Sequence, residues 1–403
     1  MTTTRRPNLL TYAALLLAAL MLVAVTPGIA KAQQSPDEYL REQNEWVWKQ
    51  INADKAWETT KGKGATIAVL DNGLGLHTYF EGKDILEPEH FRGGDPGTVG
   101  NGHGGSVAAA ALQIAPEATI MPLVTNAPED LPEELKTYGE SAVTEAIYYA
   151  VDNGANVINM SFGPPVDTTQ EKVQEALQYA VDRGVVTVIA AGNDPNVKAD
   201  PIMATDGVIV VSGSNPQGTI WKDSWRGEEV TLAAPGDTQT IVESAFDNSD
   251  KNNLIDPEPS NDYRESPGTS LSAPTVAGVL ALMFSADADL DGNNAIERLI
   301  KTASGNGEWN PELGYGIVDA EAAVNADNIS PVDSNPLGYP LGQAGLSLEN
   351  DASDISESGT DESNQTSSST DESSMIRIWL VAVAATLLAA TVVAFLILRR
   401  KKA

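Results

Sequence analysis

Six short apolar runs, rich in β-branched residues and separated by helical stretches, restrict this chain to very few architectures. They read "ATIAVLD" (65–71), "ATIMPLV" (118–124), "NVINMSF" (156–162), "VVTVIAA" (185–191), "GVIVVSG" (207–213) and "EVTLAAP" (229–235). Between them, "AVTEAIYYAVDNG" (142–154) and "EKVQEALQYAVDRG" (171–184) repeat apolar residues at three- and four-residue spacing and end in glycine. That pattern marks helices with C-terminal stops. Strands without polar alternation are buried on both faces, and helices between them supply the cover. The expected class is α/β, in three layers, with a mostly parallel central sheet covered by helices on both faces. No internal repeat is present.

Composition narrows the chemistry. With 25 basic and 56 acidic side chains the net charge is −31, which excludes a nucleic-acid partner, because phosphate binding calls for a basic patch. The absence of cysteine removes disulfides, thiol nucleophiles and cysteine metal sites. Three histidines, His77, His90 and His103, are too few for a histidine-rich metal centre, so no metal or cofactor is expected. Any histidine base must be one of these three.

The ends carry an address. Residues 1–32 place Arg5 and Arg6 ahead of an apolar run and close on Ala30-Lys31-Ala32, the plan of a secretory signal peptide. Residues 33–328 form the expected folded domain. From 329 to 376 a proline-rich exit leads into "LSLENDASDISESGTDESNQTSSSTDESS", which has little to bury and reads as a disordered stalk. Residues 377–398 are long and apolar enough to cross a bilayer, and the basic tail 399–403 stays inside. The expectation is a single-pass, C-terminally anchored cell-membrane protein with its domain outside the cytoplasm.

Reactive groups in open α/β sheets gather at the C-terminal ends of strands. Asp71 ends the first run and Asn193 follows the run 185–191, where each also reads as an ordinary turn residue. His103 sits in "GNGHGGSVAAAALQIAPEA" (100–118), among glycines and at the head of an alanine-rich helix. "RESPGTSLSAPTVAGVLALM" (264–283) crowds hydroxyls at the mouth of a buried helix, either as helix caps or as a nucleophile. Taken together, Asp71, His103 and Ser270 supply an orienting acid, a base and a nucleophile, with Asn193 as an N–H donor for an oxyanion.

"AVLDNG", "NGHGGSVAAA", "VINMSFG", "AAGN", "AAPG" and "GTSLSAPTVAGVLALM" resemble the successive motifs of subtilisin-like serine proteases. The resemblance covers about residues 45–325 and closes on "ELGYGIVDAEAAV" (312–324). It implies a subtilisin-like fold, Ser270 as nucleophile, His103 as base and Asp71 as its orienting partner. It further implies an oxyanion hole of Asn193 and the Ser270 backbone N–H. Ser161, Phe162 and Gly163 would lie along the main chain of a protein or peptide substrate. His77, where the family often carries a His-Pro pair, is expected to be structural. Two positions depart from the pattern: Asn72 replaces the usual Ser or Thr, and Gly105-Ser106 the common Thr-His.

The end segments, together with "WVWKQINADKAWETTKGKGATIAVLDNG" (46–73), also resemble the mycosins, membrane-anchored proteases of type VII secretion systems. That resemblance implies cleavage of a secreted substrate and association with the secretion complex. The mycosins often carry cysteines, absent here. Other readings are a degenerate protease serving as a structural subunit, an adhesin, or a general surface-anchored subtilase. "DADLDGNNAIE" (287–297) echoes a calcium loop but carries Arg298 where a bidentate Glu is needed. It is expected to be an acidic turn ahead of a helix.

Overall fold

The computed structural model describes residues 34–91, 102–125, 140–162, 170–244 and 261–338, all within one unit that ends at Ser347. The expected signal peptide, the membrane segment, the basic tail, Gly163 and most of the stalk lie outside the described residues.

Strands β1 (Thr66–Asp71), β2 (Glu89–His90), β3 (Thr119–Val124), β4 (Val157–Met160), β5 (Val186–Ala190), β6 (Ile209–Ser214) and β7 (Leu232–Pro235) form a parallel sheet in the order β2-β3-β1-β4-β5-β6-β7. All six apolar runs are in it. Alternate strand residues serve opposite layers, as the strand period of two requires. Ile67, Val69, Ile120, Val157, Val188 and Val211 join one buried cluster. Ala68, Leu70, Met121, Leu123, Ile158 and Ile189 join another. Helices α4 (His103–Ile114) and α7 (Thr269–Ala286) belong to the first cluster, and α5 (Glu140–Asp152) and α6 (Glu171–Asp182) to the second. The fold is therefore the expected three-layer α/β arrangement.

By length and mean hydropathy (1.4), α7 would pass for a membrane span, but 78% of it is buried. It is the core helix of the first layer. The spacing at 171–184 is realised as α6, which buries Val173, Ala176, Leu177 and Ala180.

Three further groups of elements complete the domain, and of these only the helix after the acidic turn at 287–297 was expected from the sequence. Short helices α1 (Pro36–Gln43), α2 (Glu45–Gln50) and α3 (Ala53–Ala56) precede the sheet. Strands β8 (Gln239–Glu243) and β9 (Asp262–Ser266) pair antiparallel just before α7. Helices α8 (Gly292–Thr302) and α9 (Ala320–Val324) close the domain. The chain then stays on the domain: Val332 N–H donates to Asn294 at 2.9 Å, and Leu337 is buried.

Candidate active site

From β1 the chain runs to β2 and β3 on one side, then returns to β4 on the other. The strand order thus reverses between β1 and β4, the point at which open α/β sheets bind their ligands, beyond the strand C-termini. Leu70 pairs with Met160 across that boundary, so Asp71 and Ser161 are the next residues along neighbouring strands.

Asp71 is 2% exposed. Its carboxylate accepts the Asn72 backbone N–H at 2.7 Å and faces His103 Nδ1 at 2.8 and 3.0 Å. A carboxylate only accepts, so Nδ1 carries the hydrogen and Nε2 is the basic nitrogen of the neutral ring. His103 is the first residue of α4, and its side chain remains 35% exposed. The ring is thus oriented by Asp71 while remaining partly exposed.

Ser270 is the second residue of α7, so its N–H has no acceptor within the helix. Pro274 lies four residues on, within α7. It lacks the N–H that would take the Ser270 carbonyl. That carbonyl is taken instead by Ser161 Oγ at 3.1 Å, while Ser270 Oγ donates to the Ser161 carbonyl at 3.0 Å. Asn159, buried in β4, donates to Ser161 Oγ at 2.9 Å. The proline therefore ties the helix mouth to the end of β4.

Asn193 Oδ1 accepts the Thr269 N–H at 2.9 Å and the Thr269 hydroxyl at 3.0 Å. A backbone N–H can only donate, so the amide orientation is set by chemistry and its NH₂ faces away from Thr269. The Thr269 hydroxyl also accepts Gly192 N–H at 3.0 Å. The remaining hydroxyls of the helix mouth are structural: Ser272 donates to the Pro235 carbonyl at 3.1 Å, and Thr275 to Leu271 at 2.8 Å.

The structure thus joins Asp71 with His103, and Ser270 with Ser161, by direct hydrogen bonds, and holds Asn193 against the residue before Ser270. Phe162 is half-buried against the second cluster. Thr269 and Pro274 were not singled out in the sequence; the only signal was their adjacency to the serine. Asp200, on the loop after Asn193, is buried, and burial pushes its carboxyl above the ordinary range.

The departures have local causes. A Cβ at Gly105 would lie 2.2 Å from the Leu74 carbonyl oxygen, and one at Gly104 would lie 2.4 Å from that of Gly73. The loop after β1 runs against the first turn of α4, so neither site accommodates a side chain. His77 is 3% exposed: Nδ1 accepts the Tyr79 N–H at 3.0 Å, and Nε2 donates to the Asp262 carbonyl at 2.9 Å. That is the expected structural role. In the 287–297 stretch Asp291 caps α8, and Asp287 pairs with Arg298 at 2.8 Å. This is the acidic turn expected there.

Residues 62–316 match the profile of the Subtilase family. The chain is 32% identical, over 69% of its length, to a halolysin-like extracellular serine protease, Nep, of Natrialba magadii, and spans 51% of that protein. It is 30% identical to Mycosin-4 of Mycobacterium tuberculosis, over 72% of each chain. Among solved structures it superposes on the MycP3 protease from the type VII (ESX-3) secretion system with a TM-score of 0.56 and 25% identity, covering 70% of this chain and 88% of that one.

Proposed function

Because the chain belongs to the subtilase family, we propose that it is a serine endopeptidase cleaving extracytoplasmic proteins or peptides through Asp71, His103 and Ser270. The observation that carries this reading is the Asp71–His103 hydrogen bond at the sheet's reversal point, one strand away from the Ser161–Ser270 pair.

Serine is a weak nucleophile unless a base removes its proton. In the proposed reaction a substrate strand lies along Ser161, Phe162 and Gly163. The Ser270 hydroxyl leaves the Ser161 carbonyl, gives its proton to His103 Nε2, and Oγ attacks the scissile carbonyl carbon. Asp71 steadies the imidazolium. The Asn193 NH₂ and the Ser270 N–H receive the oxyanion, helped by the positive end of α7. His103 then protonates the leaving amine, and water hydrolyses the acyl-enzyme by the same route.

The proposal extends to location. Residues 1–32 act as signal peptide, 33–328 as peptidase domain, 329–376 as stalk, 377–398 as membrane anchor and 399–403 as cytoplasmic tail. Support comes from the charge and hydropathy pattern of the ends and from the similarity to Mycosin-4 and MycP3. On that basis the enzyme works with a type VII secretion complex; a gene lying apart from such components would favour a general surface-anchored subtilase.

The test exposes the full chain, in membranes, to a fluorophosphonate probe and maps the adduct by mass spectrometry. The expected result is labelling at Ser270 that Ser270→Ala abolishes. A folded wild-type chain that stays unlabelled would put the non-catalytic structural subunit ahead.

A further inference from the structure

We propose that Asn72 is a positioning residue for His103, clamping the helix that carries the base to the end of the strand that carries Asp71. The proposal rests on the reading of His103 as the base.

Helix α4 starts badly by its own resources. Its N-cap is Gly102, in the left-handed region at φ 78°, with no side chain to accept a first-turn N–H. Positions 104 and 105 are glycines, and each glycine weakens a helix relative to alanine. His103, the residue that must be held most firmly, is the first of that helix. Orphan N–H groups at such a start need an acceptor from elsewhere.

Asn72 supplies it. Its Oδ1 accepts the Gly104 N–H at 3.1 Å, across a separation of 32 residues. Its own N–H donates to Asp71 Oδ1 at 2.7 Å, and Asp71 in turn holds His103 Nδ1. The four residues close a ring in which the last strand residue and the one after it grip two consecutive helix residues, Asp71 by side chain to side chain and Asn72 by side chain to backbone. The glycines are part of the same device: only without Cβ atoms at 104 and 105 does the Gly73–Leu74 backbone come this close. Asn72 is itself buried, so water does not replace its oxygen freely.

Without the Asn72 acceptor the first turn of α4 loses its anchor on the end of β1, and the imidazole it carries is held less firmly against Asp71. Substrate binding would be little affected, because Asn72 is not placed along the substrate strand. The loss falls on the proton-transfer step.

The experiment compares the full-length wild type with Asn72→Ala, Asn72→Asp and Asn72→Gln. Two readouts are taken: the downfield proton resonance of a hydrogen-bonded His103 Nδ1–H, and kcat and KM on a peptide ester. Asn72→Ala should broaden or abolish the resonance and lower kcat by about tenfold, the equivalent of one hydrogen bond, with KM within about twofold. Asn72→Asp keeps the acceptor in place and should retain the resonance. Asn72→Gln carries its oxygen one methylene away and should behave like alanine, and this pair decides the matter if the alanine variant does not fold. An alanine variant with unchanged resonance and kcat, or a folded aspartate variant that behaves like alanine, overturns the proposal. A wild type that turns over no substrate, yet shows a resonance that Asn72→Ala removes, would sink the peptidase reading and leave the positioning role standing.

Discussion

His77 and Thr269 show what a single residue's identity does and does not announce. Both are polar, buried and close in sequence to a proposed catalytic group. His77 is a neutral clasp between the loop after β1 and strand β9, and its ring meets Tyr263 edge-on at 4.9 Å. Burial holds its pKa below the ordinary value, against the opposing pull of the Asp262 carbonyl and carboxylate. A base with a lowered folded pKa binds fewer protons folded than unfolded, so stability is complete above about pH 6.5 and falls as the pH drops from there through the lowered value. Protonation also removes the Nδ1 acceptor from Tyr79. Thermal melts of the full chain should therefore show the melting temperature declining below about pH 6.5. His77→Gln, neutral throughout, should flatten that part of the decline; an unchanged slope would place the sensitivity elsewhere. Asp71, His103 and Ser270 were legible as candidates because their types, and their places at a strand end or a helix start, are local facts. Thr269 and Asn72 were not, because their roles depend on acceptors and donors 76 and 32 residues away.

Among the elements, α4, which begins at His103, packs on α7, which carries Ser270 near its start. Gly278 lies where α7 crosses α4: a Cβ there would sit 2.8 Å from Ile114 Cβ and 2.9 Å from the Ala111 carbonyl. Alanine favours the helix by up to ~1 kcal/mol over glycine, but forcing the helices apart costs about 1–3 kcal/mol in a close-packed core. Gly278→Ala should therefore be net destabilising, by about 1 kcal/mol in urea unfolding, and Ile114→Ala in the same chain should leave most of that penalty in place, because alanine keeps the Cβ at 114 and the Ala111 carbonyl does not move away. A stabilised single variant would mean that the interface slides without cost. Helix and strand periodicity made most of this layer readable in advance. The β8–β9 hairpin was not, since its strands are short and half-exposed. Helices α1 to α3 were missed because each is too short to show a period.

At the scale of the whole domain, the N-terminal helices are fastened to the body by polar contacts. Asn44 is fully buried; it donates to Gln113 at 2.8 Å and to the Thr240 carbonyl at 2.7 Å, and accepts the Thr240 N–H at 2.8 Å. One side chain thus joins the leading helices to α4 and to β8. Arg41 packs over the Trp57 ring at 4.3 Å, and Lys83 pairs with Asp37 at 2.8 Å. Removing Asn44 takes their partner from the part-buried Thr240 N–H and carbonyl, which costs about 1–3 kcal/mol each where water does not replace it. Asn44→Ala should lower the urea midpoint by the equivalent of about 3 kcal/mol. A change below about 0.5 kcal/mol would show that the leading helices are peripheral to the fold.

Sequence alone determined the layered α/β class, because near-continuous apolar strands have no other way to bury both faces. It also determined which residue types were available for acid, base and nucleophile, through a scarcity of histidine and an absence of cysteine. Tertiary structure alone decided how those groups are held. The Asn72 clamp on α4, the Thr269 grip on Asn193, and the Ser161 hydroxyl on the carbonyl freed by Pro274 each join segments far apart in the chain. A hydrogen bond exists only once both partners have been brought within 3 Å or so, and no local pattern in the chain records that approach.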